Sequence, residues 1–141
     1  AAVLGEGVEV TLTSASGESA RGIISDLDVQ LVVNGLWMSG AEAIDVGGNR
    51  LASTSAIRSA GEGITVNFRS IAEPIVIRAI GSQSGLTKQF EASPSGRYLT
   101  EREQNSGISW TIQESDEIEM SAAPSKRLEI RHARVMRRGG S

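Results

Sequence analysis

The chain of 141 residues contains no cysteine and one histidine, His132. Without thiolates there is no structural disulfide, no cysteine nucleophile and no thiolate zinc site. With a single imidazole, metal binding would fall to carboxylates alone. The missing disulfides leave the compartment open, because a domain of this size can be stable outside the cell without them. Aromatic residues make up only 4%, so the core has to be built from Val, Ile, Leu and Ala. No apolar run approaches the ~20 residues that cross a bilayer. No cleavable leader is seen, and the chain opens at Ala1-Ala2-Val3 without an initiator methionine. That opening is expected of a sequence with an unseen upstream region.

What is present describes a folded domain. Hydrophobic residues are 39% and charged residues 22%, an ordinary balance for a globular chain. The length fits one domain, read here as a single α+β domain over residues 1–141. Net charge is −3 but unevenly placed, with six bases against one acid between Lys126 and Arg138. A basic tail on an acidic body can meet nucleic acid or anionic lipid. The remaining sequence offers no basic surface to extend such a footprint. We therefore expect a solvated terminal strand facing its own acids Glu114, Asp116, Glu117 and Glu119, and no nucleic-acid partner.

Patterning places the elements. Residues 7–13 alternate and read as a half-buried strand. Ser25 followed by Asp28 reads as a capping box opening a helix, which should close near Ser39 with Gly40 beyond it. Leu27, Leu31 and Met38 fall on or near one face, which Val29, Val32, Val33, Leu36 and Trp37 widen into a broad apolar wall. Strands are expected over 41–46, in one or two pieces within 50–60, over 63–68 and over 75–80, with a tight turn at Gly47-Gly48-Asn49. Residues 84–92 form a helix, Pro94 interrupts it, and 95–105 form a second helical piece. Residues 108–112, 118–120 and 128–130 read as further strands. A strand–helix–strand followed by another is the split βαβ, or ferredoxin-like, arrangement. The expected fold is thus α+β with a mixed sheet, extra short strands and hairpins.

The search for chemistry is largely empty. His132 lies alone in the basic tail. Asp26 and Asp28 stand at a helix start, where the dipole favours acids, and their spacing lacks a calcium loop. Glu114 to Glu119 read as a turn entering a strand whose acids pair across to Arg127 and Arg131. Gly5-Glu6-Gly7 and Gly61-Glu62-Gly63 lack the residues of a phosphate loop. Neither Ser55 nor Ser84 sits in a nucleophile elbow. No catalytic residue, metal or cofactor is expected. If one surface takes a partner or ligand, the candidates are Asn34, Trp37, Glu42, Arg50 and Arg58. Asn34 interrupts the apolar wall, and Trp37 suits a core edge or a partner surface. Arg50 and Arg58 flank the short strands, where a surface role or an ion pair with Glu42 competes with ligand binding.

The run Val33 to Val46, followed by Gly48, Arg50-Leu51 and Ser55-Ala56-Ile57-Arg58, resembles the core signature of the YlxW/YlxX-like bacterial family. Residues 71–81, with Pro74 and Ala79-Ile80-Gly81, are similar to that family's next block. The likeness covers roughly 7–124, leaving 125–141 as a basic strand and tail. The resemblance implies an upstream transmembrane helix and coiled coil, and a domain on the extracytoplasmic side of the cell membrane. It also implies a link to division or envelope growth, with self-association and other envelope proteins as partners, and no known catalytic residue. Gly35 departs from the pattern, marking a close packing contact or mere tolerance. The reading preferred is a non-enzymatic interaction module. A ligand-binding module with a pocket near Asn34, Arg50 and Arg58 is the alternative, and a carboxylate–arginine enzyme is the least favoured.

Overall fold

Ser25 does open the first helix. In the computed structural model, which describes residues 1–16, 22–52, 56–61 and 63–123, helix α1 spans Asp26–Met38. The Ser25 hydroxyl accepts from the Asp28 N–H at 3.2 Å, and the Asp28 carboxylate accepts from the Ser25 N–H at 2.7 Å. Both bonds satisfy donors that a helix start leaves open. Ser39 ends the helix, and Gly40 follows at φ +108°.

Before α1 runs β1 (Val3–Thr13); after it come β2 (Ala43–Val46), β3 (Asn49–Arg50), β4 (Ile57–Ala60), β5 (Gly63–Val66), β6 (Arg69–Ile71) and β7 (Ile75–Ile80). Helices α2 (Gln83–Ala92) and α3 (Pro94–Ser106) and strand β8 (Ser109–Met120) complete the described residues. Ser93 caps the end of α2 and the start of α3, and Pro94 takes the first position of α3. A proline there loses no helical hydrogen bond, so the interruption yields two abutting helices.

The fold is α+β. Its main sheet has the order β3-β2-β7-β1-β8, and a smaller sheet has the order β4-β5-β6. Every pairing among the described residues is antiparallel, which corrects the expected mixed sheet. The strands joined through helices do run parallel, but each such pair has a strand of the other unit inserted between its members. β7 separates β1 from β2, and β1 separates β7 from β8.

One face of the main sheet carries the helices. Val8, Val10, Leu12, Ile44, Val46 and Ile77 pack there with Val29, Val32, Leu36, Leu86, Phe90 and Leu99, all buried. Ile57, Ile64 and Val66 of the small sheet extend the same core. Residues 63–68 do not form one strand as expected. Val66 ends β5, and Asn67 and Phe68 turn at φ +52° and +69° into β6. The Asn67 side chain and N–H pair with the Ala56 backbone, which holds the turn.

The final strands differ from expectation as well. Residues 109–120 form one continuous strand that includes the acids 114–119. Its register against β1 shifts between Gly5 and Gly7, where Asp116 and Glu117 stand opposite Glu6 alone. Such a bulge reverses the alternation beyond it. Trp110 and Ile112 therefore face the helices, whereas Ile118 and Met120 join Val3, Ala43 and Ile80 in a second cluster on the outer face. The Arg78 guanidinium donates to the Glu119 carbonyl at 3.0 Å. In register Arg78 lies opposite Glu9, and Glu119 opposite Leu4. Five residues of straight strand would hold them about 16 Å apart. The outer half of the β1–β8 ribbon accordingly folds back over the sheet, covering Ala43 and Ile80. The expected acid pairs to Arg127 and Arg131, and the strand over 128–130, lie outside the described residues.

Gly35 proves to be a packing contact. A Cβ there would stand 2.6 Å from the Ser95 hydroxyl and 3.0 Å from the Phe90 ring, and that hydroxyl is committed to the Leu31 carbonyl at 2.7 Å. Alanine would gain about 1 kcal/mol of helix propensity, against about 1–3 kcal/mol for overpacking. Gly35→Ala is therefore expected to lower stability in denaturant titration; an unchanged or higher midpoint would refute the contact's role.

Candidate binding surface

Helix α1 presents three faces. Asp28, Val29, Val32, Gly35 and Leu36 are buried against the sheet and the other helices. A second stripe, Leu27, Leu31, Asn34 and Met38, follows spacings of four, three and four. Leu27 and Met38 on it are 53% and 86% exposed. This corrects the expectation that they belong to the apolar wall: the wall is narrower, because Asp28 and Gly35 share the core-facing side. The third stripe, Gln30, Val33 and Trp37, borders a groove.

The groove has a volume of about 610 Å³. Leu51, Ala52, Ile57 and Arg58 form its other side, and Asn34 lies at its rim. The Gln30 amide donates to the Ile57 carbonyl at 3.0 Å, tying α1 to β4 across the floor. The Arg58 guanidinium donates to the same carbonyl at 3.0 Å and makes no ion pair among the described residues.

A buried polar cluster fixes α1 from the opposite side. The fully buried Asp28 carboxylate accepts from the Tyr98 hydroxyl at 2.6 Å and from Arg102 at 3.0 Å. Arg102 also donates to the Ile23 carbonyl at 2.8 Å. Burial alone would raise the Asp28 pKa, but the bonds from Arg102, Tyr98 and Ser25 outweigh it and hold the carboxyl below its ordinary value. Burial and the Asp28 charge push the Tyr98 phenol up to about 12. On the outer face, Asp45 is buried and takes a bidentate pair from Arg78, at 2.5 and 3.1 Å. That hydrogen bonding raises the Arg78 pKa against the opposing effect of burial. Perturbed groups can signal catalysis; here each perturber is a structural partner.

Of the five candidates from sequence, Asn34, Trp37 and Arg58 come together at the groove. Glu42 is exposed in the turn between α1 and β2, its N–H donating to the Ile80 carbonyl. Arg50 sits at the sheet edge and donates to the carbonyls of Ser121 at 3.0 Å and Ala1 at 3.4 Å. It clips down the folded-back ribbon and makes no ion pair with Glu42. Gln30, Val33, Leu51, Ala52 and Ile57 were missed. The first two were visible as a helical stripe shared with Trp37; the others depend on how the small sheet folds back. His132, Ser55 and the basic tail lie outside the described residues. Among the described residues, no three acids or histidines are grouped to hold a metal. No helix among them is long and apolar enough to cross a membrane.

Residues 1–134 match the family model described as bacterial protein of unknown function (DUF881). The chain belongs to this family. DUF881 relatives include the UPF0749 protein Rv1823 of Mycobacterium tuberculosis, 31% identical over 89% of this chain and 45% of its own length. The UPF0749 protein YlxW of Bacillus subtilis is 42% identical over 56% of this chain and 36% of its own length. This DUF881 chain thus spans less than half the length of these curated relatives. Its fold is also that of an uncharacterized conserved protein from Mycobacterium tuberculosis, with a TM-score of 0.71 at 21% identity, covering 88% of this chain and 84% of that one.

Proposed function

We propose that this DUF881 domain is a non-enzymatic interaction module that self-associates through the outward stripe of α1. The observation that carries the reading is the spacing of Leu27, Leu31, Asn34 and Met38. Steps of four, three and four are those of the a and d positions where helices interlock. An isologous pair needs the same patch on both copies, and this stripe supplies it on a helix held rigid by Asp28 and Gly35. The committed partners of Asp28 and Asp45 further support a structural reading over an enzymatic one.

The same reading takes the frame to be ferredoxin-like, which the two interleaved β–α–β units support. It takes the domain to be the extracytoplasmic head of a protein anchored in the cell membrane by one span, serving division or envelope growth. What supports this is the resemblance drawn from the sequence and the large part of each curated relative outside the matched region, which leaves room for such an anchor.

Sedimentation across a wide concentration range tests the interaction. The wild type should move from monomer to dimer, and the double variant Leu27→Ser/Met38→Ser should remain monomeric while still folded, since both side chains are exposed. A strictly monomeric wild type, or a variant that dimerises equally well, would overturn the proposal.

A further inference from the structure

The groove beside α1 borders the outward stripe, meeting it at Asn34, and it has a chemistry of its own. Its floor and walls are apolar through Val33, Leu51, Ala52 and Ile57, with the Trp37 indole, 42% exposed, along one side. Among the described residues its one charged lining residue is Arg58, and none of them that line it is an acid. The carbonyl of Ile57 is already taken twice, by Gln30 and by Arg58. The Asn34 amide and the Trp37 indole N–H have no protein acceptor among the described residues. The polar groups aimed at this space are thus mainly donors, one of them cationic, set around an apolar slot. A volume of about 610 Å³ falls within the range of small-molecule sites, about 300–1,000 Å³.

We infer that this groove binds a small organic anion, a carboxylate carried on a flat apolar body. The body lies against Trp37, Val33 and Leu51, and the carboxylate meets Arg58 with Asn34 at the rim. A guanidinium donates two parallel hydrogen bonds to a carboxylate, which neutral donors cannot match in strength. This inference goes beyond the interaction reading and rests on Arg58 and Trp37, which that reading does not use.

The probes are 2-naphthoate and its neutral analogue 2-naphthamide, titrated into isotopically labelled 1–141 chain and followed by NMR. Naphthoate should shift the Trp37 indole N–H saturably and bind at least about tenfold tighter than the amide, a difference of about 1.4 kcal/mol. Arg58→Gln, at an exposed position, should keep the spectrum of a folded domain and abolish that tenfold preference. Equal binding of acid and amide, shifts that map away from the groove, or no saturable binding of naphthoate up to about 10 mM would each overturn the inference. So would an Arg58→Gln protein that keeps the preference. Leu27→Ser/Met38→Ser should bind naphthoate as the wild type does, which separates failure of this site from failure of the dimer.

Discussion

Asp28→Ala is expected to destabilise the domain by about 3–5 kcal/mol, the range for removing one partner of a buried ion pair. The carboxylate is fully buried and serves three functions at once. It completes the capping box of α1, accepts from Tyr98, pairs with Arg102, and so ties the start of α1 to α3. Without it, the guanidinium loses its carboxylate while still donating to the Ile23 carbonyl, and the phenol loses its acceptor. Leaving such groups buried and unsatisfied is more costly than never having formed the pair. Denaturant unfolding measures the loss, and a change below about 1 kcal/mol would place the pair among exposed ones of little worth.

The same cluster sets the pH dependence. Asp28 titrates below its ordinary value in the fold, so its contribution is present above the unfolded pKa near 3.9 and disappears as pH falls through the folded value. Tyr98 titrates higher in the fold, at about 12. Its contribution is complete below the unfolded value near 10 and is lost as pH rises from there toward 12. Stability should therefore decline on both the acid and the far alkaline side. In Asp28→Ala both declines should become shallower, because the carboxylate is gone and the phenol no longer has it as an acceptor.

Gly7→Ala is the second large effect, and it acts through backbone approach. A Cβ at Gly7 would lie 1.9 Å from the Ala79 carbonyl oxygen and 3.0 Å from the Ile80 Cα. Backbone in the centre of a sheet cannot move aside as the tip of a side chain can. The position is also where the β1–β8 ribbon bends, beside the register shift. Relief requires β1 to lift from β7, which would uncover the cluster of Val3, Ala43, Ile80, Ile118 and Met120. The expected loss is at the upper end of the about 1–3 kcal/mol usual for overpacking. Hydrogen exchange should show it first at 3–5 and 118–120; a wild-type exchange pattern there would refute the bend as the point of stress.

Much of this architecture is legible in the sequence, for local reasons. Ser25, Asp28, Ser39 and Gly40 delimit α1 because capping is settled within a turn of chain. Strand 75–80 is found at its true bounds because an apolar run with β-branched residues behaves as a buried strand does. Residues 109–120 read as two strands because a bulge breaks the alternation without ending the pairing. The turn at Asn67-Phe68 escapes notice because Phe rarely adopts a positive φ. The surface follows the same division. Asn34, Trp37 and Arg58 stand out by residue type, whereas the role of Arg50 depends on a ribbon folding back over the sheet. Leu27 and Met38 look like core by periodicity; only the packing of Asp28 and Gly35 against α3 and α2 turns that stripe outward.

The most direct test of the account is NMR of the methyl groups of Leu27, Leu31 and Met38 and the side-chain amide of Asn34, recorded from dilute to concentrated protein. These four signals should shift together with concentration, while methyls on α2 and the small sheet stay fixed. Shifts confined to other surfaces, or none at any concentration, would contradict it.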